Sequence, residues 1–376
     1  MAEFMKLMED WSGYKPVGNR FSEAAVSGAL ELLSNAKRAP QHRHEYMLKE
    51  AITTTDFPDL FGFILERDIL ARYKAVVPEW RSYTAVGRLP NFNQAELHKV
   101  QGQDTRLELV AEKGEYLVAP MSDYHYHRRV YKYGRQFDIS WEALVNDALG
   151  AMSDIAQRFA DAAIRTEALA ATGLYASAAG PNALLFGAPI VDVDGGAVTN
   201  QGVLPLTIAN LQATMALMAR QVDINGEAIS VRGVHLVVPP DLEYTARAIL
   251  TSSMQMWTQV AAGGALPYPM TNVTPQMGLQ LHVDPLLPVV DATATDDTTW
   301  YLFGDPAQGK AMQMDFLAGY ESPEICMKAS DKVTTAGGLL SPFSGDFATD
   351  NVFYRVRHIL GGVQLDPRFA YAQVAP

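Results

Sequence analysis

The densest run of side chains able to do chemistry is Asp123-Tyr124-His125-Tyr126-His127. Side chains alternate along a strand, so His125 and His127 share one face. Two imidazoles placed this way are the beginning of a metal site. No third ligand stands at a supporting spacing, and the plainer reading is a solvated or interfacial strand. His42 and His44 repeat the spacing with the same gap. Asp192 and Asp194, in a Gly-rich connection, resemble a fragment of a calcium loop whose other ligands are absent. Cys326, between Ile325 and Met327, reads as a small buried hydrophobe and not as a nucleophile. There is no Gly-x-Gly-x-x-Gly, phosphate loop, zinc-protease helix or nucleophile elbow. The expectation is a chain that is not an enzyme and carries no cofactor and no metal.

Arg128-Arg129 and Arg355-Val356-Arg357-His358 are the strongest basic spots. Arginines in strands pair with carboxylates across interfaces more often than they bind nucleic acid. Tyr124, Tyr126, Arg128, Arg129 and Tyr131 are therefore the candidate intersubunit contacts, because tyrosine and arginine are the types that anchor interfaces. Along the strand, Tyr124, Tyr126, Arg128 and Val130 fall on one face and His125, His127, Arg129 and Tyr131 on the other. Neither face is cleanly apolar, as expected of a strand pair lying on another subunit.

The elements that position these groups follow in an unusual order. A charged and aromatic β-like stretch over 100–139 runs into a helix-like stretch over 141–174. Glu115 to Ala119 and Ser122 to Tyr133 have strand composition, with Lys113-Gly114 as the turn, whereas 87–103 reads as polar and irregular. Ser140 is the expected N-cap of the helix and Gly173 its stop. Leu144, Val145, Ala148, Leu149, Met152, Ile155, Ala156, Phe159 and Ala163 form one apolar stripe. Short helices are expected over 21–36, 45–52 and 58–73 and a strand over 80–86.

Beyond a Gly/Pro-rich connection a second lobe begins. The pattern predicts a helix over 208–222, a buried strand at 233–238 ended by Pro239-Pro240, and a helix capped by Asp241. A loop is expected at 267–275 and strands at 279–283, 299–303, 314–318, 323–329 and 353–360. Helices and strands interleave without a βαβ period, so the fold class is α+β.

Composition narrows the function. Hydrophobic residues make up 48% of the 376 and charged residues 19%, which describes a folded chain large enough for two or three lobes. Net charge is −12, and all of it lies after residue 140. A dedicated nucleic-acid binder would show a basic surplus. One cysteine excludes an internal disulfide framework. No apolar run reaches membrane-span length, and acids stand where a signal peptide would be basic, so a soluble intracellular product is expected.

Three blocks carry a family resemblance. They are Thr55-Asp56-Phe57-Pro58-Asp59-Leu60-Phe61-Gly62, Tyr133-Gly134-Arg135-Gln136-Phe137-Asp138-Ile139-Ser140, and Arg355-Val356-Arg357-His358-Ile359-Leu360-Gly361-Gly362-Val363-Gln364-Leu365-Asp366-Pro367-Arg368. In this order they resemble the N-terminal arm, the join of extended loop to spine helix, and the closing strand and tail of tailed-bacteriophage major capsid proteins of the Hong Kong 97-type fold. The resemblance implies an N-terminal segment of uncertain role at 1–60, an N-terminal arm at 61–99 and an extended hairpin loop at 100–139. It implies a peripheral lobe with the spine helix at 140–204, an axial lobe at 205–315, and return strands with the tail at 316–376.

By the same resemblance, the chain is a virion protein that assembles in the host cytoplasm. It forms hexamers and pentamers of an icosahedral shell around double-stranded DNA, touching it weakly and nonspecifically, with portal, scaffold or decoration proteins as further partners and no membrane. Some family members crosslink a loop lysine to an asparagine. Lys113 and Lys132 are the candidate lysines, no asparagine matches, and no crosslink is expected. The alternatives are an encapsulin-like compartment shell and a cytosolic oligomeric enzyme of unrecognised family.

Overall fold

The computed structural model describes residues 78–102, 121–140, 150–261, 264–333 and 345–375, with isolated residues beside these segments. The helices expected over 21–36, 45–52 and 58–73, the His42/His44 pair and the first block of the resemblance lie essentially outside the described residues, as do the opening turns of the long helix.

The elements used below are β1 (Ala85–Leu89), β2 (Ala95–Gly102), β3 (Met121–Arg128), β4 (Tyr131–Ser140) and the helix α1 (Gly150–Tyr175). After α1 come β5 (Gln201–Gly202), α2 (Ile208–Ala219), β6 (Gly233–Val238), α3 (Glu243–Thr251), β7 (Met254–Ala261) and β8 (Gly264–Thr271). The chain closes with β9 (Gln280–Val283), β10 (Trp300–Gly304), β11 (Met312–Leu317), β12 (Glu324–Met327), β13 (Asn351–Gln364) and β14 (Ala370–Gln373). The class is α+β, as the sequence predicts. The chain divides into two compact units, the first including 132–165 and 320–359, the second made of 78–131, 166–319 and 360–376.

In the second unit a five-stranded sheet runs β9-β6-β10-β14-β5. Strand β6, Gly-Val-His-Leu-Val-Val, is its interior, parallel to β9 and antiparallel to β10. A strand covered on both faces reads as a continuous apolar run, which is why this one is visible in the sequence. Leu236, Val238, Trp300 and Leu302 pack with Leu211 and Met218 of α2 and Ala246 and Ile249 of α3. Val237, Tyr301 and Phe303 join a second cluster with Tyr175, Phe186, Met312 and Met314. Helix α2 starts at Thr207, whose hydroxyl accepts from the Asn210 amide at 3.2 Å. It buries Leu211, Thr214 and Met218, one face at helical spacing.

In the first unit, β4 and β12 pair with β13, which supplies its residues up to 359. Phe137 of β4 stacks on Phe159 of α1 (ring centres 4.4 Å apart) and on Tyr354 of β13 (5.0 Å). Ala160 and Val352 are buried beside them. Gly134 is a close approach: a Cβ there would stand 2.7 Å from the Val356 carbonyl oxygen. Phe159 is half-buried, so Phe159→Ala is expected to cost about 2–3 kcal/mol, below the range for a fully enclosed phenylalanine. Arg158→Ala, on the exposed neighbour, is expected to cost under about 0.5 kcal/mol. Urea unfolding of the two variants checks this, and equal midpoints would refute the assigned helix face.

Several expectations are corrected. Helix α1 does not stop at Gly173, because Leu174 and Tyr175 continue it into the core. Ser140 closes strand β4, and the start of the helix lies outside the described residues. The strand expected over 80–86 is a 3-10 turn, Glu79–Ser82, followed by β1. The stretch 87–103, read as irregular, contains β2, which pairs antiparallel with β3 from Ala95↔Arg128 to Gly102↔Met121. The strand expected over 115–119 is absent at the residues described there, 115, 116 and 118, although Lys113 does turn the chain, with φ 62°. The loop expected from 267 begins inside a strand, since β7 and β8 form an antiparallel ribbon. Pro267 and Pro269 are two apart, so both can turn the side that lacks an N–H to the ribbon's free edge.

The buried pair His235 (β6) and His282 (β9) is a feature the sequence did not flag. Their rings meet through Nδ1 of His235 and Nε2 of His282 at 3.1 Å. Burial lowers both pKa values, and for His235 the neighbouring imidazole adds to the effect while Asp305 opposes it. Tyr83 packs on both rings, and Glu79 approaches Nδ1 of His282 at 3.8 Å. Both histidines are neutral when folded and take up protons at about pH 6.5 when unfolded. Stability is therefore full above that value and falls as pH drops through it toward the lowered folded values. Thermal melts between pH 7.5 and 5 should lose up to about 1.4 kcal/mol per pH unit for each extra proton bound on unfolding. His282→Gln should flatten that slope, and an unchanged slope would count against the pair as its source.

Candidate assembly surface

The ribbon of β2 and β3 has two unlike faces. Its inner face carries Leu97, Lys99, Tyr126 and Arg128, and its outer face carries Glu96, His98, Asp123, His125 and His127. Leu97 and Tyr126 pack against Val363 and Leu365. Beside them the Tyr126 hydroxyl donates to Asp192 Oδ1 at 2.8 Å. Lys99 Nζ donates to Asp192 (2.6 Å), Asp194 (3.0 Å) and Asp366 (2.9 Å). Arg368 donates to Asp192 and Asp194, each at 3.0 Å, and to Asp366 at 3.3 Å. Three carboxylates thus meet two fixed cations and one neutral donor. The ribbon, the 190s loop and the chain's closing segment are tied together.

The loop is shaped for this. Asp192 and Asp194 accept backbone amides of Val193 and Gly196, and Gly196 must be glycine because a Cβ there would stand 2.4 Å from an Arg368 nitrogen. For Asp194 and Lys99 burial opposes ionisation, but their partners outweigh it. Burial alone would raise Asp194, whereas the bonds from Arg368, the Gly196 amide and Lys99 hold its pKa below the ordinary carboxylate value. Burial alone would lower Lys99, whereas Asp366 and Asp192 hold it above the ordinary lysine value. Burial, with Asp192 next to it, keeps the Tyr126 phenol protonated. Asp194 therefore contributes stability above about pH 4 that is lost as pH falls further, and Lys99 contributes below about pH 10.

Five sequence candidates were set on this ribbon and its exit. Tyr126 and Arg128 do not face outward. Tyr126 is buried against Asp192, and Arg128 pairs with Asp315 of its own chain at 3.1 Å, not with a neighbour's carboxylate. Gln313 donates to the same Asp315 oxygen, and Gly87 leaves room for both, since a Cβ there would fall 2.2 Å from each. Tyr124 is half-buried. Arg129 and Tyr131 are exposed, with the guanidinium over the Tyr131 ring at 5.6 Å and its Nε donating to the Phe92 carbonyl. In the connection between β2 and β3, Leu109 is 100%, Val118 88% and Tyr116 80% exposed.

Sequence reasoning did not find Lys99, Asp366 or Arg368. The one available signal was the Asp192-x-Asp194-Gly-Gly run, read as a calcium-loop fragment. Lys99 and Arg368 occupy the position a cation would take there.

What this geometry shows is a two-stranded ribbon with an ion-locked base. Residues 127–373 of the 376 match the family model described as phage capsid protein, and the chain belongs to that family. It is a structural protein of a phage capsid shell. No curated protein sequence matches. Similar solved structures include the capsid of the cyanophage P-SCSP1u, at 12% identity, TM-score 0.46, over 80% of this chain and 88% of that one. Gordonia phage Cozz follows at 14% and 0.43, over 78% and 84%. A virus-like particle from Pyrococcus furiosus stands at 9% and 0.45, over 83% and 99%. Among the described residues no helix is long and apolar enough to cross a membrane.

Proposed function

We propose that this chain is the major head-shell subunit, of the Hong Kong 97 type, and that it assembles as hexamers and pentamers around double-stranded DNA. The observation that carries the proposal is the β2–β3 ribbon: its base is spent on its own subunit, and among the described residues of the connection between its strands Leu109, Tyr116 and Val118 are exposed. Exposed clusters of this kind mark binding sites for protein. In this proposal the extended loop begins at β2 and so takes in 95–139, not 100–139. The arm then ends at 94, while the peripheral lobe (140–204 and 316–376) and the axial lobe (205–315) keep the boundaries the sequence implied. The subunit performs no catalysis, assembles in the host cytoplasm, and meets portal, scaffold or decoration proteins. Tyr124, Arg129 and Tyr131 remain the proposed intersubunit contacts, joined by Tyr116 and Val118. Contact with DNA is weak and nonspecific, because the chain after residue 140 carries the whole net charge of −12.

Electron microscopy of the purified protein tests this. Closed particles tens of nanometres across, carrying nuclease-protected DNA when isolated from infected cells, are expected. A small discrete oligomer as the terminal state would overturn the proposal, and particles filled with a protein cargo would point to a compartment shell.

A further inference from the structure

The outer face of the ribbon brings together what the sequence left apart. His98 lies directly across from His125 in the β2–β3 register, and His127 follows two residues later on the same face. Directly opposed residues on an antiparallel pair have Cβ atoms about 4.5–5.5 Å apart, within imidazole reach of a common point. The His125 and His127 ring centres are 5.1 Å apart. Two imidazoles bound to one tetrahedral ion, at about 2.0–2.1 Å per nitrogen, place their ring centres about 5 Å apart. The His98 ring centre is 6.4 Å from that of His125. Asp123 Oδ2 holds His98 Nδ1 at 2.8 Å. A metal-binding histidine is usually supported in this way: one ring N–H donates to a carboxylate, which fixes the tautomer and turns the other nitrogen outward as a ligand. Glu96 stands opposite His127 on the same face.

We propose that this face is a binding site for one divalent transition-metal ion, with His98, His125 and His127 as nitrogen ligands and Asp123 orienting His98. Among the described residues no group of three histidine, cysteine or carboxylate side chains is arranged to hold a metal ion as it stands, so this site forms only when its side chains rearrange. Closure requires the exposed His98 side chain to turn about its own torsions toward the other two rings. Three imidazoles suit zinc, nickel or copper and exclude calcium and magnesium, which require oxygen ligands. A bound ion would clamp β2 to β3 at mid-ribbon, beyond the ion-locked base. The third ligand missing from the sequence pattern is His98, and the expectation of a metal-free chain changes with it.

The test is calorimetric titration of the untagged full chain with zinc and, separately, with nickel near neutral pH. One ion per chain with micromolar affinity is expected. His125→Gln, which removes the middle ligand, should weaken binding at least about tenfold, and Asp123→Asn about tenfold. The paired variant His42→Gln, His44→Gln should bind as the parent does. All these side chains on the ribbon are exposed, so unchanged circular dichroism melts will show that the variants are folded. No binding at about 100 µM zinc, or undiminished binding by His125→Gln, would overturn the site, since metal binding by neutral histidines is fully developed at this pH.

Discussion

Replacing Ala111 to Met121 by a short Gly-Ser turn should give a soluble, cooperatively melting subunit that forms no stable closed shells. Among its described residues the deleted segment carries Tyr116 and Val118, both more than three-quarters exposed, and the exposed Met121. The base stays intact, because Lys99, Tyr126 and Arg128 keep their partners Asp192, Asp194, Asp366 and Asp315. Subunit melting should therefore move by no more than about 1 kcal/mol, as for surface changes away from packed features. Assembly depends on interface anchors, and losing aromatic and apolar side chains from the centre of a contact typically removes 2 kcal/mol or more, roughly, per anchor. Multiplied over every contact in a shell, such a loss is expected to abolish particles in electron micrographs. Normal particles of full stability would show that the ribbon does not lie on a neighbour.

Arg368→Met should be the most destabilising single substitution in the described chain. The guanidinium is 2% exposed and bonds Asp192, Asp194 and Asp366, besides donating from Nε to the Val222 carbonyl at 3.0 Å. Methionine matches its stem but leaves three carboxylates facing Lys99 alone. Removing one partner from a buried ionic cluster costs about 3–5 kcal/mol, because the remaining charges stay desolvated. For a chain of 376 residues that corresponds to a fall in melting temperature of about 4–6 °C. Adding Asp194→Asn should recover part of the loss, since it restores the balance of charge, and the double-mutant cycle measures the coupling. A cost under about 1 kcal/mol for Arg368→Met would mean that solvent reaches the cluster and that the ribbon base is not ion-locked.

Some of this was legible residue by residue. Strand β6 announced itself as an apolar run ended by two prolines, α2 by its periodicity, and β3 by alternation that put Tyr126 and His127 on opposite faces. Strand β2 was not legible because its inward residues, Ala95, Leu97 and Lys99, include a lysine. A buried lysine looks exposed until its carboxylates are known. The β7–β8 ribbon was hidden by Pro267 and Pro269, which argue against a strand except at a free edge. The same blindness applied to the ribbon's outer face, where His125 and His127 were seen and His98 was not.

The sequence by itself determined the α+β class, the long apolar stripe of the spine helix, the interior strand of the large sheet and membership of the capsid family, because each is written in local periodicity or in contiguous blocks. Only the tertiary structure decided which charges meet. Lys99 reaches Asp192 across 93 residues and Asp366 across 267, and Arg368 reaches Asp194 across 174. Local pattern states which way a side chain points, but the partner that makes its burial tolerable is chosen by the path of the chain. That path turned Tyr126 and Arg128 inward to their own subunit and left Arg129 and Tyr131 exposed.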